Sequence, residues 1–330
     1  MPNKQRPRFG SMGVWPRKRA SRQTPRLRSQ PELDEAIPAG FAAYKVGMTH
    51  VLAKGFNKQQ DNSNVRSQVP VTVLEAPPMR IASVRGYVKD DESLRAHTEI
   101  PFPTTTPYQR HAPTVSDDNA VDEETIEELD LASFEEIRVQ VYTQPENIDL
   151  KHKPSVFELT LGGDADEQQE FLTNHINQPF SIDDIFAEGD YTNVTGITKG
   201  KGLQGPVKRF GIGLKGHKSQ KGRRRPGSLG PWNATQHIMP RVPKSGQTGY
   251  HQRTQHNNLI MQIDDDADTI NVPGGYKHYG DVTSTYILIK GSVPGPAKRL
   301  ITLTHPQTPK QEPGYSPDQI TYTSTTSHQG

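Results

Sequence analysis

Two hexapeptides in this chain, GKGLQG (Gly200, Gly202, Gly205) and GIGLKG (Gly211, Gly213, Gly216), carry the glycine spacing that lets a backbone close on a pyrophosphate. That chemistry also needs a helix aimed at the phosphates and an acid about 20 residues on to hold a ribose. Pro206 and further glycines follow the first match, and no Asp or Glu occurs from there until Asp264. A dinucleotide site is therefore not expected, and there is no Walker lysine motif either. His251 and His256 stand five apart with no Cys, Asp or Glu beside them to complete a zinc set. The chain has no cysteine, which excludes disulfides and thiolate chemistry, and no serine sits in a nucleophile elbow. Asp184 follows Ser181 at capping-box-like spacing, so the dipole of a short capped helix explains Asp183 and Asp184 without catalysis. Asp264–Asp266 reads as a polar turn. No residue is expected to act as acid, base or nucleophile, and no cofactor or protein-held metal is expected.

The cationic residues are another matter. Lys and Arg total 39 against 37 Asp and Glu, a net charge of +2 that conceals how the charges are sorted. Residues 1–30 hold nine Lys and Arg and no acid, and residues 191–263 hold thirteen and no acid. Residues 117–170 reverse this, with seventeen acids against Arg138, Lys151 and Lys153. A solvated surface mixes both signs, so a block of 73 residues without one carboxylate points to a polyanion. Glycines let backbone approach a ligand, Lys and Arg neutralise phosphates, and guanidinium planes and tryptophan rings stack on unpaired bases. All three ingredients coincide in Lys199–Trp232 and again in Arg6–Arg19. RNA fits better than DNA, because there is no helix-turn-helix, basic zipper or Cys/His finger. The residues expected to touch RNA in the N-terminal arm are Arg6, Arg8, Trp15, Arg17, Lys18, Arg19 and Arg22. In and beyond the basic zone they are Lys199, Lys201, Lys208, Arg209, Lys215, His217, Lys218, Lys221, Arg223, Arg224, Arg225, Trp232, Arg241, His251 and Arg253.

The elements that must position them read mainly as strands. Residues 1–36 form an extended basic arm without helical or strand period. β-branched and apolar alternation marks Gly40–Ala53 and Gln68–Val88, the latter broken by Pro77-Pro78. Residues 90–118 are polar and Pro-rich, a loop. An acidic helix is expected over Asp117–Ile137, strands at IRVQVYT and SVFELTLGG, a helix around Glu167–Ile176 and a short capped helix at SIDDIFAEGD. YTNVTGIT is a strand leading straight into the basic zone. Strand signals return at TYILIKGSV and RLITLT, and a polar tail begins at His305. With 31% hydrophobic residues and a mean hydropathy of −0.78, one modest core is expected, with much of the chain outside it. No apolar run spans a bilayer, and no apolar segment follows the basic N-terminus, so neither membrane span nor signal peptide is expected.

Five stretches in order, GFAAYKVGMTHV (40–51), VTGITKGKGLQGPVKRFG (194–211), GSLGPWN (227–233), GQTGYHQRT (246–254) and YILIKGSVPGPAKRLITL (286–303), carry a resemblance. The chain resembles the universal large-subunit ribosomal protein three family in its archaeal form. That resemblance implies a mainly β fold with an α/β insertion: a six-stranded translation-protein-type β-barrel with long non-globular RNA-binding extensions. On this reading 1–36 is the arm, 37–90 and 190–310 the barrel core, 91–189 the acidic insertion, 199–246 a long basic central loop, and 311–330 the tail. The resemblance also implies a cytoplasmic constituent of the large ribosomal subunit that binds ribosomal RNA early in assembly. Its loop would reach towards the peptidyl-transferase centre, with Trp232 near the tip. Its expected partners are ribosomal RNA and neighbouring ribosomal proteins, without homo-oligomers, and any Mg or monovalent ions would be held by the RNA. TQHNNLI (254–260) departs from the family in lacking the Glu and Lys expected after GYHQRT. The heavy acidic insertion is similar to those of proteins from salt-adapted archaea.

Overall fold

The computed structural model describes residues 12–54, 66–90, 93–111, 131–219, 222–231, 237–309 and 320–327. In chain order its first elements are β1 (Gly40–Lys54), β2 (Arg66–Glu75), β3 (Met79–Asp90), β4 (Ser93–Pro101), α1 (Thr106–Gln109), β5 (Glu136–Thr143), β6 (Val156–Thr160) and α2 (Ala165–Asn174). There follow β7 (Tyr191–Ile197), β8 (Leu203–Gln204), α3 (Pro206–Phe210), β9 (Gly246–Gln247), β10 (Gln252–Asp264), β11 (Tyr286–Lys290), β12 (Leu300–Thr304) and β13 (Ile320–Thr323). The fold is mainly β. The chain divides into two compact units, Met1–Arg22 with Ile197–Gln252, and Gln23–Gly196 with Arg253–Gly330.

In the larger unit one sheet runs in the order β12-β7-β10-β11-β2-β1-β13, and β12 also pairs with β1. The hydrogen-bonded path therefore returns to its start through six strands, with β13 attached to β1 outside the ring. The length of β1 makes this closure work. Its first residues, Gly40–Tyr44, face β12, while on its other edge Tyr44–Lys54 pairs with β2. A bulge between Lys45 and Gly47 re-aims the strand between the two. Gly47 has to be glycine, since a Cβ there would lie 2.7 Å from the Tyr276 ring.

Strands β2, β10 and β11 of this ring carry apolar residues on both faces, because each face meets a different core. Tyr286 and Leu288 of β11 join one buried cluster with Val46, Val73 and Tyr276. Ile287 and Ile289, the alternate residues, join the other with Phe41, Met79 and Phe180. That is why YILI reads as an unbroken apolar run. Glu75, at the end of β2, is 1% exposed. Its carboxylate accepts from the Thr283 and Ser284 amides at 2.7 and 3.0 Å and from the Tyr279 hydroxyl. Burial, then the Glu75 charge, pushes the Tyr279 phenol above its ordinary range.

A second sheet, β4-β3-β5-β6, is antiparallel throughout. A cross-strand ion network lies on it. Arg85 bonds Glu99 and Glu158, Tyr87 donates to Glu158, and Arg138 grips Glu136 while its guanidinium lies 4.4 Å from the Tyr87 ring centroid.

Some sequence expectations need correction. The polar stretch taken for a loop over 90–118 contains β4, an exposed strand whose partner is the adjacent β3. SIDDIFAEGD forms no helix. Asp184 does cap Ser181, through bonds of 2.6 and 3.1 Å, but only one turn follows. The segment leaves a β-bridge at Phe180, and the Asp190 carboxylate takes the Ala187 amide, which leaves no room to propagate. The expected tail contains β13. GKGLQG is followed by a helix after all, the five-residue α3. Most of the acidic helix expected over 117–137 lies outside the described residues, and its end belongs to a 3-10 turn, Leu131–Ser133, and to β5.

Candidate nucleic-acid interface

The smaller unit is built from the two legs of the basic zone. They are zipped together at their base by Thr198 N to His251 O at 2.9 Å and His251 N to Thr198 Oγ1 at 3.1 Å. Lys201 N to Thr248 O and Thr248 N to Gly202 O follow, both at 2.9 Å, and then the β8–β9 pairs Leu203–Gln247 and Gln204–Gly246. Gly249, at φ +69°, lies so close to the Lys199 carbonyl that a side chain would collide with it. Beyond β8, Pro206 opens α3 at a position that needs no amide donor, and Lys208 and Arg209 fall in its last turn, where cations suit the dipole. Gly211, at φ +68°, ends the helix in the left-handed conformation.

The N-terminal arm lies along this base within the same unit. Ala20 N donates to Tyr250 O at 2.8 Å, and His251 Nδ1 donates to Lys18 O at 2.6 Å. Arg209 is the hub. Its Nε donates to Gln247 O at 3.0 Å, Nη1 to Lys244 O at 3.1 Å and Nη2 to Arg17 O at 3.4 Å. Arg17 returns a bond to the Arg209 carbonyl. The Arg17 guanidinium sits 4.3 Å from the Phe210 centroid, and Trp15 meets Phe210 edge-on at 5.9 Å. Arg19 lies over Tyr250 at 5.7 Å. Burial, and then the neighbouring Arg17, lowers the Arg209 pKa; a guanidinium stays charged regardless.

Further out, Lys215 N donates to Arg223 O and Arg223 Nε to Lys215 O, both at 3.1 Å. Lys18, Arg19, Arg22, Lys199, Lys201, Lys208, Lys215, His217, Lys218, Arg223, Arg224, Arg225 and Arg241 are exposed. Arg17 and Arg209 are half-buried and His251 is buried, each bonded to protein backbone. Arg253 belongs to the larger unit, at intermediate exposure. Arg6, Arg8, Lys221 and Trp232 lie outside the described residues. Phe210 and Tyr250 were not singled out from the sequence. Their signal is adjacency, since Phe210 follows Arg209 and Tyr250 precedes His251.

Two properties set this unit apart. It contains nineteen of the 39 Lys and Arg and none of the 37 acids, so the larger unit holds all 37 acids with 20 Lys and Arg. Among the described residues, the clusters of buried apolar side chains draw only on the larger unit. In the smaller one Leu203 is 77% exposed, and Leu214, Leu229, Ile238 and Met239 are exposed too. Such a surface is matched to a polyanion with unstacked faces.

Relatives agree. The chain is 40% identical over 334 residues to the large ribosomal subunit protein uL3 of Methanosphaera stadtmanae, covering 98% of each chain. It is 42% identical over 301 residues to that of Nanoarchaeum equitans, covering 90% of each. It is 40% identical over 338 residues to that of Halobacterium salinarum, covering the whole of both. The family described as Ribosomal protein L3 matches residues 1–330, and the chain belongs to that family.

Proposed function

We propose that this protein folds and clamps large-subunit ribosomal RNA early in assembly, using the smaller unit as its RNA-binding part. As a member of the ribosomal protein L3 family it is a constituent of the large ribosomal subunit, in the cytoplasm, and not an enzyme. The observation that carries the proposal is a compact unit with nineteen cationic residues, no carboxylate and, among the described residues, no apolar cluster of its own. Each exposed Lys or Arg that meets a phosphate releases counterions. The base of the unit is held by protein hydrogen bonds. The outer part of the loop takes its shape against RNA, with Trp232 at the tip facing the peptidyl-transferase neighbourhood. The larger unit serves as the anchoring body. Its closed six-strand pairing supports a translation-protein-type barrel over 37–90 and 190–310, and 91–189 is the insertion. The partners are ribosomal RNA and adjacent ribosomal proteins, with the protein as a single copy.

The acids of the larger unit fit a salt-rich cytoplasm, where the screening length falls to about 3 Å near 1 M salt. Close hydrogen-bonded and stacked contacts then do most of the holding. The purified protein is expected to keep its RNA in molar salt, and release there would remove this salt-adapted reading. The function itself is tested by cosedimentation with large ribosomal subunits, followed by crosslinking from position 232. A crosslink to peptidyl-transferase RNA is expected. Cosedimentation with a crosslink elsewhere would remove the proposed tip position, and failure to cosediment would overturn the whole reading.

A further inference from the structure

A small cavity of about 130 Å³ opens in the smaller unit between the arm, α3 and the returning leg of the loop. Trp15, Phe210 and Met239 supply apolar lining, and Arg17, Arg209 and Lys244 supply cations. An apolar cavity of about 150 Å³ takes up benzene, so this slightly smaller one is sized for a single six-membered ring, a pyrimidine and not a purine. The arm closes one wall through the Arg17–Arg209 exchange and the edge-on contact of Trp15 with Phe210, which hold the aromatic lining in place without filling the space.

The geometry points to a slot for one unstacked nucleobase of RNA, with the adjoining phosphate held by the cationic rim. Such a slot rests on the proposed RNA-binding role and adds where a base is read. Three observations favour a nucleobase over a peptide side chain. The surrounding unit has no carboxylate, so its occupant is anionic nearby. Apolar and cationic groups share one cavity, as a base joined to a phosphate requires. The rings offered are aromatic, and base–aromatic stacking tolerates any base because every base has a π-face.

The test uses Trp15 as its own reporter. Trp232→Phe leaves Trp15 as the sole tryptophan. A short oligouridylate and an abasic ribose-phosphate chain of equal length and charge are then titrated at fixed ionic strength, with binding followed by anisotropy and Trp15 by fluorescence. The oligouridylate is expected to bind about fivefold more tightly, the low end of what one stacked base contributes, and to quench Trp15. The abasic chain should bind by charge alone and leave Trp15 unquenched. Phe210→Ala in the same background should bring the oligouridylate to the abasic affinity. Equal affinity and equal quenching by the two chains would overturn the slot while leaving the polyanion reading standing. Binding of neither chain would overturn both. Quenching of equal depth by an acidic peptide would assign the slot to protein instead.

Discussion

Replacing Arg209 probes how the arm is held. Its guanidinium reaches carbonyls of three separate segments, Gln247, Lys244 and Arg17, at 3.0, 3.1 and 3.4 Å. A hydrogen bond from a charged donor contributes roughly 1.5–3 kcal/mol when well buried. Arg209 is half-exposed, its bond to Arg17 is long, and water competes for all three carbonyls. A total of about 2 kcal/mol is therefore reasonable for Arg209→Ala, equivalent to about a thirtyfold shift in arm docking. The arm is not released outright, because Arg17 still has the backbone carbonyl of residue 209 and His251 still holds Lys18. The assay is hydrogen exchange at the Ala20 amide, which is bonded to Tyr250 O at 2.8 Å and so reports docking directly. Exchange should accelerate about thirtyfold in Arg209→Ala. It should accelerate nearly as much in Arg209→Lys, which keeps the charge but cannot span three carbonyls. An unchanged Ala20 rate in the alanine variant would refute the hub role. A lysine variant indistinguishable from the parent would show that charge, and not the fork, fixes the arm.

Three further outcomes are expected in the larger unit. Glu75→Ala leaves the Thr283 and Ser284 amides and the Tyr279 hydroxyl without their buried acceptor, and should cost about 3–5 kcal/mol in urea unfolding. A loss below about 1 kcal/mol would mean that water replaces the carboxylate. Gly47→Ala drives a methyl group to 2.7 Å from the Tyr276 ring and should lower stability by about 1–3 kcal/mol; an unchanged unfolding midpoint would contradict that. His305 stacks on Phe186 at 4.4 Å, and burial holds its pKa below the ordinary 6.5 despite the opposing pull of Asp190, the Ile185 backbone and Glu35. Its neutral form is the one that folding favours, so its contribution is complete above pH 6.5 and is lost as pH falls through the depressed folded value. Urea midpoints on either side of pH 6.5 should therefore differ more in the parent than in His305→Phe. Equal differences would assign the acid sensitivity to other groups.

The strands β1, β2, β3, β5, β6, β7, β11 and β12 were legible because apolar patterning and turn residues bound them, down to the break at Pro77-Pro78. The charge partition was legible too, since blocks of one sign need no tertiary context. What stayed hidden depends on partners distant in sequence or on competing local bonds. The exposure pattern of β4 carries no period, and its strand state comes from pairing with β3. β13 exists through β1, more than two hundred residues away. At the candidate interface, residue type alone marked Arg17, Arg209 and His251 as cations or aromatics for RNA. Nothing in the sequence said that each would also tie the arm to the loop. That follows from backbone carbonyls, which have no signature in side-chain composition.

The closed strand path also sets an order of events. Gly40 pairs with Thr304, so the ring cannot shut until nearly the whole chain has been made. The cationic segment 197–252 emerges before β11 and β12 exist to complete the body. Pairings this far apart in sequence are intrinsically slow to form. During synthesis the chain therefore passes through an interval in which the cationic segment is already made and the ring of strands is still open. Under the proposed function, RNA met in that interval would engage a partly made protein, before the ring has closed.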